Sequence, residues 1–299
     1  MRKLLKILGW VAGGLVLAIG VLALVGFTVS NSKLKKAYAV TVRPVLIPTS
    51  AEALARGKHI ANTRGCAECH GKDFAGAKVI ENGAMGRIHG SNLTRGRGSK
   101  VAHFQDTDWV RAIRHGVNAE GRGLFLMPSE EYSHFSDGDL GAVISYLKSV
   151  PPVDRDPVPL SFGPVTRGLL TTGKMKLAAE VIDHANVNPV APLKAATIEY
   201  GRYLAHGCTG CHGPNFSGGK IDIGPPDWPP ARNLTPHPSG NLSRWTEVDF
   251  MRALREGRRP DGTEVNPIMP RGFGGMDDVE LRALFLFFRS LPPVETGKR

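Results

Sequence analysis

The hydrophobic pattern of the chain begins with a long uncharged segment. No charged residue occurs between Ile7 and Val29, and the segment follows a basic start, MRKLLK. A helix of this length, rising about 1.5 Å per residue, spans the roughly 30 Å hydrocarbon core of a bilayer. A cleaved secretory signal is the alternative, but its apolar region is usually only about 7–15 residues long. The pattern therefore predicts an uncleaved transmembrane signal-anchor at 1–32, followed by a juxtamembrane linker at 33–50.

Beyond the linker, apolar residues recur at helical spacing, and no alternating strand pattern of useful length occurs. Helices are expected where this spacing follows a capping residue and ends at a proline or glycine. In the first half they are Ala51–Asn62, Asp106–His115 and a helix that starts after Ser136; in the second half they are Thr197–His206 and helices that start after Thr246 and Asp277. The sequence predicts an all-α fold behind the N-terminal transmembrane helix.

The two halves are copies of one domain. CHGKDFAGAK from Cys69 returns as CHGPNFSGGK from Cys211, 142 positions later, and LKSVPPV returns as FRSLPPV 141 positions later. This period predicts two tandem domains, 51–153 and 196–295, which we name domain 1 and domain 2. Residues 154–195 join them, and we expect this segment to be a strap packed across both domains rather than a flexible tether.

All four cysteines belong to C-x-x-C-H motifs. The motifs are Cys66, Cys69 and His70 in domain 1, and Cys208, Cys211 and His212 in domain 2. This spacing is the signature of covalent haem attachment, in which the thiols form thioethers and the histidine ligates the iron. A structural zinc ion would need all four cysteines to converge, but the repeat assigns each pair to its own domain. We therefore predict two covalently attached haem c groups.

A matched pair of methionines supplies candidates for the second axial ligand. Met127 and Met269 each precede a proline and lie 57 residues beyond His70 and His212. Methionine ligation raises the potential of a haem iron and suits reversible electron transfer. We therefore predict His70, Met127, His212 and Met269 as the iron ligands. Weaker haem-pocket candidates are Asn92, Arg95, Trp109, Pro225, Asn233 and Trp245.

Taken together, these motifs resemble class I c-type cytochrome domains. GKHIANTRGCAECHG and GRYLAHGCTGCHG resemble the first helix and haem site of that family, and the two Met-Pro segments resemble its methionine loop. With the N-terminal anchor, the chain is similar to membrane-anchored dihaem cytochromes c, including the cytochrome subunits of bacterial membrane-bound dehydrogenases. The resemblance implies an anchor in the bacterial inner membrane and haem domains in the periplasm.

One departure from the family pattern separates the two copies. Domain 2 has Pro225-Pro226 where the family usually places a proline carbonyl near the proximal histidine, but domain 1 has Ala84-Met85. The resemblance therefore leaves the proximal hydrogen bond of the first haem open, and it predicts two haems that differ in potential.

The charge balance and the residue inventory favour an electron carrier. The chain has 38 basic and 27 acidic side chains, a net charge of +11, without a nucleic-acid-binding motif. This balance favours an acidic redox partner over nucleic acid. No catalytic constellation is evident, so we expect a carrier between an electron donor and an acceptor. Two alternatives stay open: a dihaem oxidoreductase with one open haem, such as a peroxidase or an enzyme of sulfur-compound oxidation, and a fixed electron-transfer subunit of a respiratory or dehydrogenase complex.

Overall fold

A computed structural model of the chain describes residues 2–187, 190–221 and 228–298. The helices in and before domain 1 are α1 (Arg2–Lys35), α2 (Ala51–Thr63), α3 (Cys66–His70), α4 (Asp106–His115), α5 (Ser129–Tyr132) and α6 (Asp137–Ser149). The linker and domain 2 contain α7 (Pro164–Thr171), α8 (Ala178–Val181), α9 (Ile198–Ala205), α10 (Thr209–His212), α11 (Glu247–Arg255) and α12 (Asp278–Ser290), with 3-10 turns at His206–Cys208 and Arg271–Gly275. The strands are β1 (Lys78–Asn82), β2 (Gly86–His89) and β3 (Ser161–Phe162).

Helices α2 and α6 form the frame of domain 1. Each begins at a serine, Ser50 or Ser136, whose hydroxyl accepts a hydrogen bond from a backbone N–H in the first turn. The helices approach so closely at Gly57 that an added Cβ would overlap with the Ala142 carbonyl. Glycine is required there by packing. The buried core around this contact includes Ile60, Trp109, Ile113, Leu140, Ile144 and Leu147.

Domain 2 repeats the same frame with α9 and α12. Thr197 and Asp277 cap the two helices, and Gly201 lies against the Ala283 carbonyl as Gly57 lies against that of Ala142. The buried core includes Tyr200, Leu204, Phe250, Leu281, Leu284 and Phe288. The repeat in the sequence is therefore a repeat in three-dimensional packing, and the predicted helices are confirmed.

A small antiparallel sheet departs from the predicted all-α class. The fold is mostly helical, but β1 and β2 form a hairpin and β3, from the linker, pairs with β2. Gly86 permits the third strand to approach, since its φ is 101° and an added Cβ would overlap with the Ser161 carbonyl. The sequence did not predict this sheet because strands of two to five residues are too short to show alternation, and because β3 pairs with a strand more than seventy positions earlier in the chain.

The N-terminal helix is long and apolar enough to cross a membrane. Over its most apolar window the mean hydropathy of α1 is 2.4, and none of that window is buried. The C-terminal end of α1 packs against linker helix α7. Lys33 Nζ donates to the Leu170 carbonyl at 2.7 Å, and Arg167 donates to the Ser30 hydroxyl at 2.8 Å. These contacts fix the end of α1 to the linker.

The linker lies mainly on domain 1. The Arg155 guanidinium donates to the Gly76 carbonyl at 2.6 Å, and the linker residue Leu170 is buried with Met85 at the hairpin tip. Further along, Lys194 forms an ion pair with Asp277 of domain 2. The two domains also contact each other directly, through His59 with Glu280 and Tyr203 with Asp139. The position of the two domains relative to each other therefore depends on direct contacts between them as well as on the linker.

Candidate functional site

Each domain contains a large cavity that brings the predicted ligands together. The cavity in domain 1 has a volume of about 550 Å³ and that in domain 2 about 600 Å³, both within the roughly 300–1,000 Å³ range of cofactor sites. The first is lined by Cys66, Cys69, His70 and Met127, and the second by Cys208, Cys211, His212 and Met269. The two cysteine pairs therefore face different cavities and do not share one metal ion.

Short helices place the attachment residues on the cavity wall. Helix α3 carries Cys66, Cys69 and His70 at helical offsets of three and four, which lie on one face. Glycines in left-handed or related backbone conformations bound it, Gly65 with a φ of 82° and Gly71 with a φ of 79°. Only glycine adopts such angles without strain, so the chain can turn sharply on both sides of the motif. Helix α10 ends in the same way in domain 2.

Backbone carbonyls fix the orientation of both histidines. His70 Nδ1 donates to the Ser91 carbonyl at 2.8 Å, and His212 Nδ1 donates to the Arg232 carbonyl at 2.7 Å. With the proton on Nδ1, the lone pair is on Nε2, the nitrogen suited to bind iron. Burial lowers the pKa of His70 and so favours the neutral imidazole that metal binding requires.

The proximal hydrogen bond of domain 1, which the family pattern left open, is therefore present. Ser91 and Arg232 are equivalent in the repeat, since each directly precedes an Asn-Leu-Thr sequence. Ala84 and Met85 instead form the hairpin tip, where their carbonyls accept hydrogen bonds from Val165 and Gly163 of the linker. Pro225 and Pro226 lie outside the described residues.

Burial favours the protonated form of three of the four thiols. Burial raises the pKa of both Cys66 and Cys208 to about 12, and it also raises that of Cys69. Zinc and other soft metals bind the thiolate, so an environment that disfavours thiolate opposes a zinc site. The uncharged thiol remains compatible with thioether formation.

The methionine reaches each cavity from a separate loop. In domain 1, Leu126 has a φ of 62°, unusual for a residue with a side chain, and turns the chain immediately before Met127. The Met127 carbonyl then accepts a hydrogen bond at 2.8 Å from the backbone N–H of Ser129, the first residue of α5. In domain 2, Met269 donates its backbone N–H to the Asn266 carbonyl at 3.0 Å. The tertiary fold thus brings each distant methionine to the cavity of its histidine.

The weaker candidates divide into cavity residues and structural residues. Trp109 and Trp245 line the two cavities, and Trp109 packs edge to face on Phe104 with ring centroids 5.7 Å apart. Arg95 is exposed and lies outside the described cavity lining. Pro225 lies outside the described residues.

The two asparagines fasten each domain's last segment. Asn92 Nδ2 donates to the Val153 carbonyl at 2.9 Å, and Asn233 Nδ2 donates to the Val294 carbonyl at 2.7 Å. The side-chain oxygens accept from Thr94 and Thr235, two residues further on. Asn233 also lines the domain 2 cavity, but these bonds explain why both residues occur in the repeat.

Ser91, Arg232 and Tyr132 support the sites through contacts that the sequence did not predict. Ser91 and Arg232 act through backbone carbonyls, and the paired SNLT and RNLT sequences were the available signal. Tyr132 lines the domain 1 cavity and donates its hydroxyl to the Arg64 carbonyl at 2.9 Å. No pairing in the sequence pointed to that tyrosine.

Each of the two domains matches a protein-family model, and the two models differ. The model described as "Cytochrome C oxidase, cbb3-type, subunit III" matches residues 52–147, and the model described as "Cytochrome c" matches residues 198–292. The chain therefore contains two cytochrome c domains. Its two cytochrome c domains, each with a C-x-x-C-H motif at its own cavity, provide sites for two haem c groups.

Curated relatives of this cytochrome include dehydrogenase subunits. It is 28% identical to the fructose dehydrogenase cytochrome subunit of Gluconobacter japonicus, over 84% of this chain and 56% of that protein. It is 31% identical to the gluconate 2-dehydrogenase cytochrome c subunit of Pantoea cypripedii, over 75% of this chain and 54% of that protein. A diheme cytochrome c-type of Cereibacter sphaeroides is 26% identical, over 80% of this chain and 86% of that protein. The chain spans about half the length of the dehydrogenase subunits it matches.

The cavity residues fit a covalently attached haem. Each cavity offers two thiols and an imidazole from one short helix and a thioether from another loop. The remaining lining is largely apolar and includes Ile113, Val143 and Leu147 in domain 1 and Leu242, Leu284 and Phe288 in domain 2. This set matches the donors of a haem c site and an environment that excludes water.

Proposed function

We propose that this chain carries electrons between a donor and an acceptor by means of two His/Met-ligated haem c groups. The observation that carries the proposal is that each cavity is lined by one cysteine pair, the adjoining histidine and a loop methionine. Haem bound in these cavities supplies one-electron chemistry at iron. No residue is required to act as an acid, a base or a nucleophile.

The residues of each domain have defined roles in this proposal. Cys66 and Cys69 tether the group, and His70 is held by the Ser91 carbonyl with Nε2 available for iron. Met127 would supply the second iron ligand and so would leave no position for an exchangeable ligand. The apolar walls disfavour the more highly charged oxidised state, and together with the thioether they raise the potential. Cys208, Cys211, His212 and Met269 have the same roles in domain 2.

The ligand assignment predicts the spectrum of the purified full-length protein. The oxidised form is expected to show the iron–sulfur charge-transfer absorption near the red end of the spectrum, because both irons bind a thioether. The reduced form is expected not to bind carbon monoxide rapidly, since neither iron has an exchangeable position. A missing charge-transfer band together with rapid carbon monoxide binding would instead support a dihaem oxidoreductase with an open haem.

A second proposal concerns the setting in which electrons move. Two of the relatives are named as cytochrome subunits of dehydrogenases, and this supports a place for the present chain as the electron-transfer subunit of a dehydrogenase complex. A free carrier and a subunit of a dehydrogenase complex transfer electrons by the same chemistry. They differ in whether the electron donor is permanently bound to the cytochrome.

We also propose that α1 anchors the protein in a bacterial inner membrane with the haem domains in the periplasm. The apolar length of α1 supports the anchor, and covalent haem attachment supports an exported location. Thr171 Oγ1 donates to the Gly26 carbonyl at 3.1 Å, so the end of α7 lies beside the last turns of the apolar segment. Domain 1, which holds the linker, would then lie nearest the membrane.

Charge at the cavity rims supports an acidic partner. Lys100 and Arg122 accompany Glu120 at the domain 1 cavity, and Arg232 and Arg259 accompany Glu264 at the domain 2 cavity. The protein side chains of each rim therefore sum to one positive charge, the same sign as the net charge of +11. Such a rim attracts an acidic docking surface through interactions that salt screens.

Isolation from membranes tests the anchor and the partner together. The full chain is expected in the membrane fraction and, after detergent extraction, to retain its redox partner at low ionic strength. The partner is expected to dissociate as salt rises toward about 1 M, where the Debye length falls to about 3 Å. Recovery of the chain in the soluble fraction would contradict the anchor, and a partner insensitive to salt would contradict the charged docking surface.

A further inference from the structure

The two domains contact each other through equivalent residues. His59 of α2 and Tyr203 of α9 are each two positions after the glycine that packs on the last helix of their own domain. His59 Nε2 lies 2.6 Å from Glu280 Oε2, and the Tyr203 hydroxyl donates to Asp139 Oδ2 at 2.6 Å. Glu280 and Asp139 both occupy the third position of their domain's last helix. Each first helix thus reaches the start of the other domain's last helix.

A second reciprocal pair joins the haem-attachment helices to the methionine loops. Glu68 and Gly210 occupy the same position of the two C-x-x-C-H motifs. Glu68 Oε1 accepts from the Gly272 backbone N–H at 3.0 Å, three residues after Met269. The Gly210 backbone N–H donates to Glu131 Oε1 at 3.0 Å, four residues after Met127. Each attachment motif therefore holds the segment that follows the other domain's methionine.

A third pair lies beside these hydrogen bonds. Arg64 and His206 each precede the Gly-Cys of their attachment motif. The Arg64 guanidinium donates to Met276 Sδ at 3.2 Å, and the His206 ring stacks on His134 with centroids 3.6 Å apart. The partners Met276 and His134 both lie between the axial methionine and the last helix of their domain. In each of the three pairs, exchanging the residues of domain 1 for their equivalents in domain 2 converts one contact into the other.

A self-complementary surface of this kind is the geometry of a twofold-symmetric dimer. Here it is formed within one chain, because the sequence contains the domain twice. The contacts do not lie at the periphery of the haem sites. They involve the attachment motif of one site and the methionine loop of the other.

We propose that the domains form an internal pseudo-twofold dimer in which Glu131 and Glu68 are positioning residues, each holding the axial methionine loop of one haem site against the attachment motif of the other. The proposal rests on the haem ligation given under Proposed function and deepens it. It makes the ligand geometry of each site dependent on the opposite domain. A change confined to one domain is then detected at the haem of the other.

Two glycines in domain 2 provide a matched test. An alanine Cβ at Gly210 would come within 2.5 Å of Glu131 Oε1, but a Cβ at Gly207 would approach nothing closer than 3.8 Å. The attachment motif itself tolerates a side chain at this position, since domain 1 has Glu68 there. Gly210→Ala therefore disturbs the contact with domain 1, and Gly207→Ala is its control.

The measurement is the proton NMR spectrum of the reduced full-length holoprotein. A ligating methionine would hold its methyl group over a haem ring and give its own strongly shifted signal, which is assigned by its loss in Met127→Ala or Met269→Ala. Gly210→Ala is expected to move the Met127 signal and to shift the midpoint potential of the domain 1 haem. Gly207→Ala is expected to change neither. An unchanged Met127 signal and domain 1 potential in Gly210→Ala would overturn the proposal.

Substitution of the carboxylate tests the hydrogen bond directly. Glu131→Ala removes the acceptor for Gly210 and is expected to move the methionine signals of both domains. Glu131→Gln retains an oxygen acceptor and is expected to preserve both signals; a shift as large as that of Glu131→Ala would overturn the positioning role. The exposed Glu199→Gln controls for the replacement of a carboxyl group by an amide away from the interdomain contact. An absence of methionine signals in the unmodified protein would refute the proposed ligation. Normal signals in the unmodified protein that do not move in any of these variants would refute only the coupling between the domains.

Discussion

Replacing both Cys66 and Cys69 by alanine is expected to reduce the covalently bound haem from two groups per chain to one. The two thiols are the attachment points that the domain 1 cavity offers, and without them haem binds there only through its axial ligands and its apolar contacts. The intact mass of the denatured protein measures this directly, because covalent haem survives unfolding. Domain 1 is also expected to become sensitive to proteolysis, since a cavity of about 550 Å³ without its covalently held filling weakens the core around it.

The internal repeat supplies the control for this experiment. Replacing Cys208 and Cys211 by alanine is expected to give the same loss of one haem, now with proteolysis in domain 2. Two retained haems after either double substitution would contradict attachment by the C-x-x-C-H motifs. The positions of the protease cuts distinguish local loss of packing from unfolding of the whole chain.

Met127→Ala is expected to open the iron of domain 1 and to lower its midpoint potential. The thioether stabilises reduced iron, so its removal is expected to lower the potential by on the order of 100 mV, a fraction of the roughly 0.8 V range that axial ligands cover. The reduced variant is expected to bind carbon monoxide at one haem per chain and to lose about half of the charge-transfer absorption. Redox titration followed by absorbance, with and without carbon monoxide, measures all three effects.

Another methionine provides a matched control for that substitution. Met85 is buried beside Leu170 and Met175 at the linker contact, outside the residues that line the domain 1 cavity. Met85→Leu conserves volume and is expected to leave the spectrum and both potentials unchanged. Met269→Ala is expected to open the domain 2 haem in the same way. An unchanged potential in both Met127→Ala and Met269→Ala would exclude these residues as ligands.

Much of the site could be predicted because its signals are either local or duplicated. Cys66, Cys69 and His70 lie within five residues, and one short helix is sufficient to place them on one wall. The methionines are distant in sequence, but the equal spacing from each histidine in the two copies identified them as candidates. The structure places each of them on the wall of the cavity that its histidine also lines. Helix starts were also predictable, because capping by Ser136, Thr246 and Asp277 depends on neighbouring backbone groups.

The features that the sequence did not predict or left open depend on contacts between distant segments. The strand β3 exists only because the linker returns to β2, and no pattern within Ser161–Phe162 announces it. The sequence left the proximal hydrogen bond of domain 1 open because Ala84 and Met85 stand where the family has a proline. In the structure the backbone carbonyl of Ser91 accepts this hydrogen bond from His70. Any residue except one with an unsuitable backbone conformation could offer that carbonyl, so the side-chain sequence carries little information about it.

By itself, the sequence determined the duplicated domain, the attachment motifs, the candidate axial ligands and the long apolar segment at the N-terminus. Each of these is encoded by residue types at fixed spacings, because covalent attachment, helix capping and membrane insertion act over short stretches of chain. Only the tertiary structure decided which carbonyl orients each histidine, where the linker packs and how the two domains meet. The contacts of Glu131 with Gly210 and of Glu68 with Gly272 join segments about 80 and 200 positions apart, and their energy depends on a distance that exists only after both domains have folded.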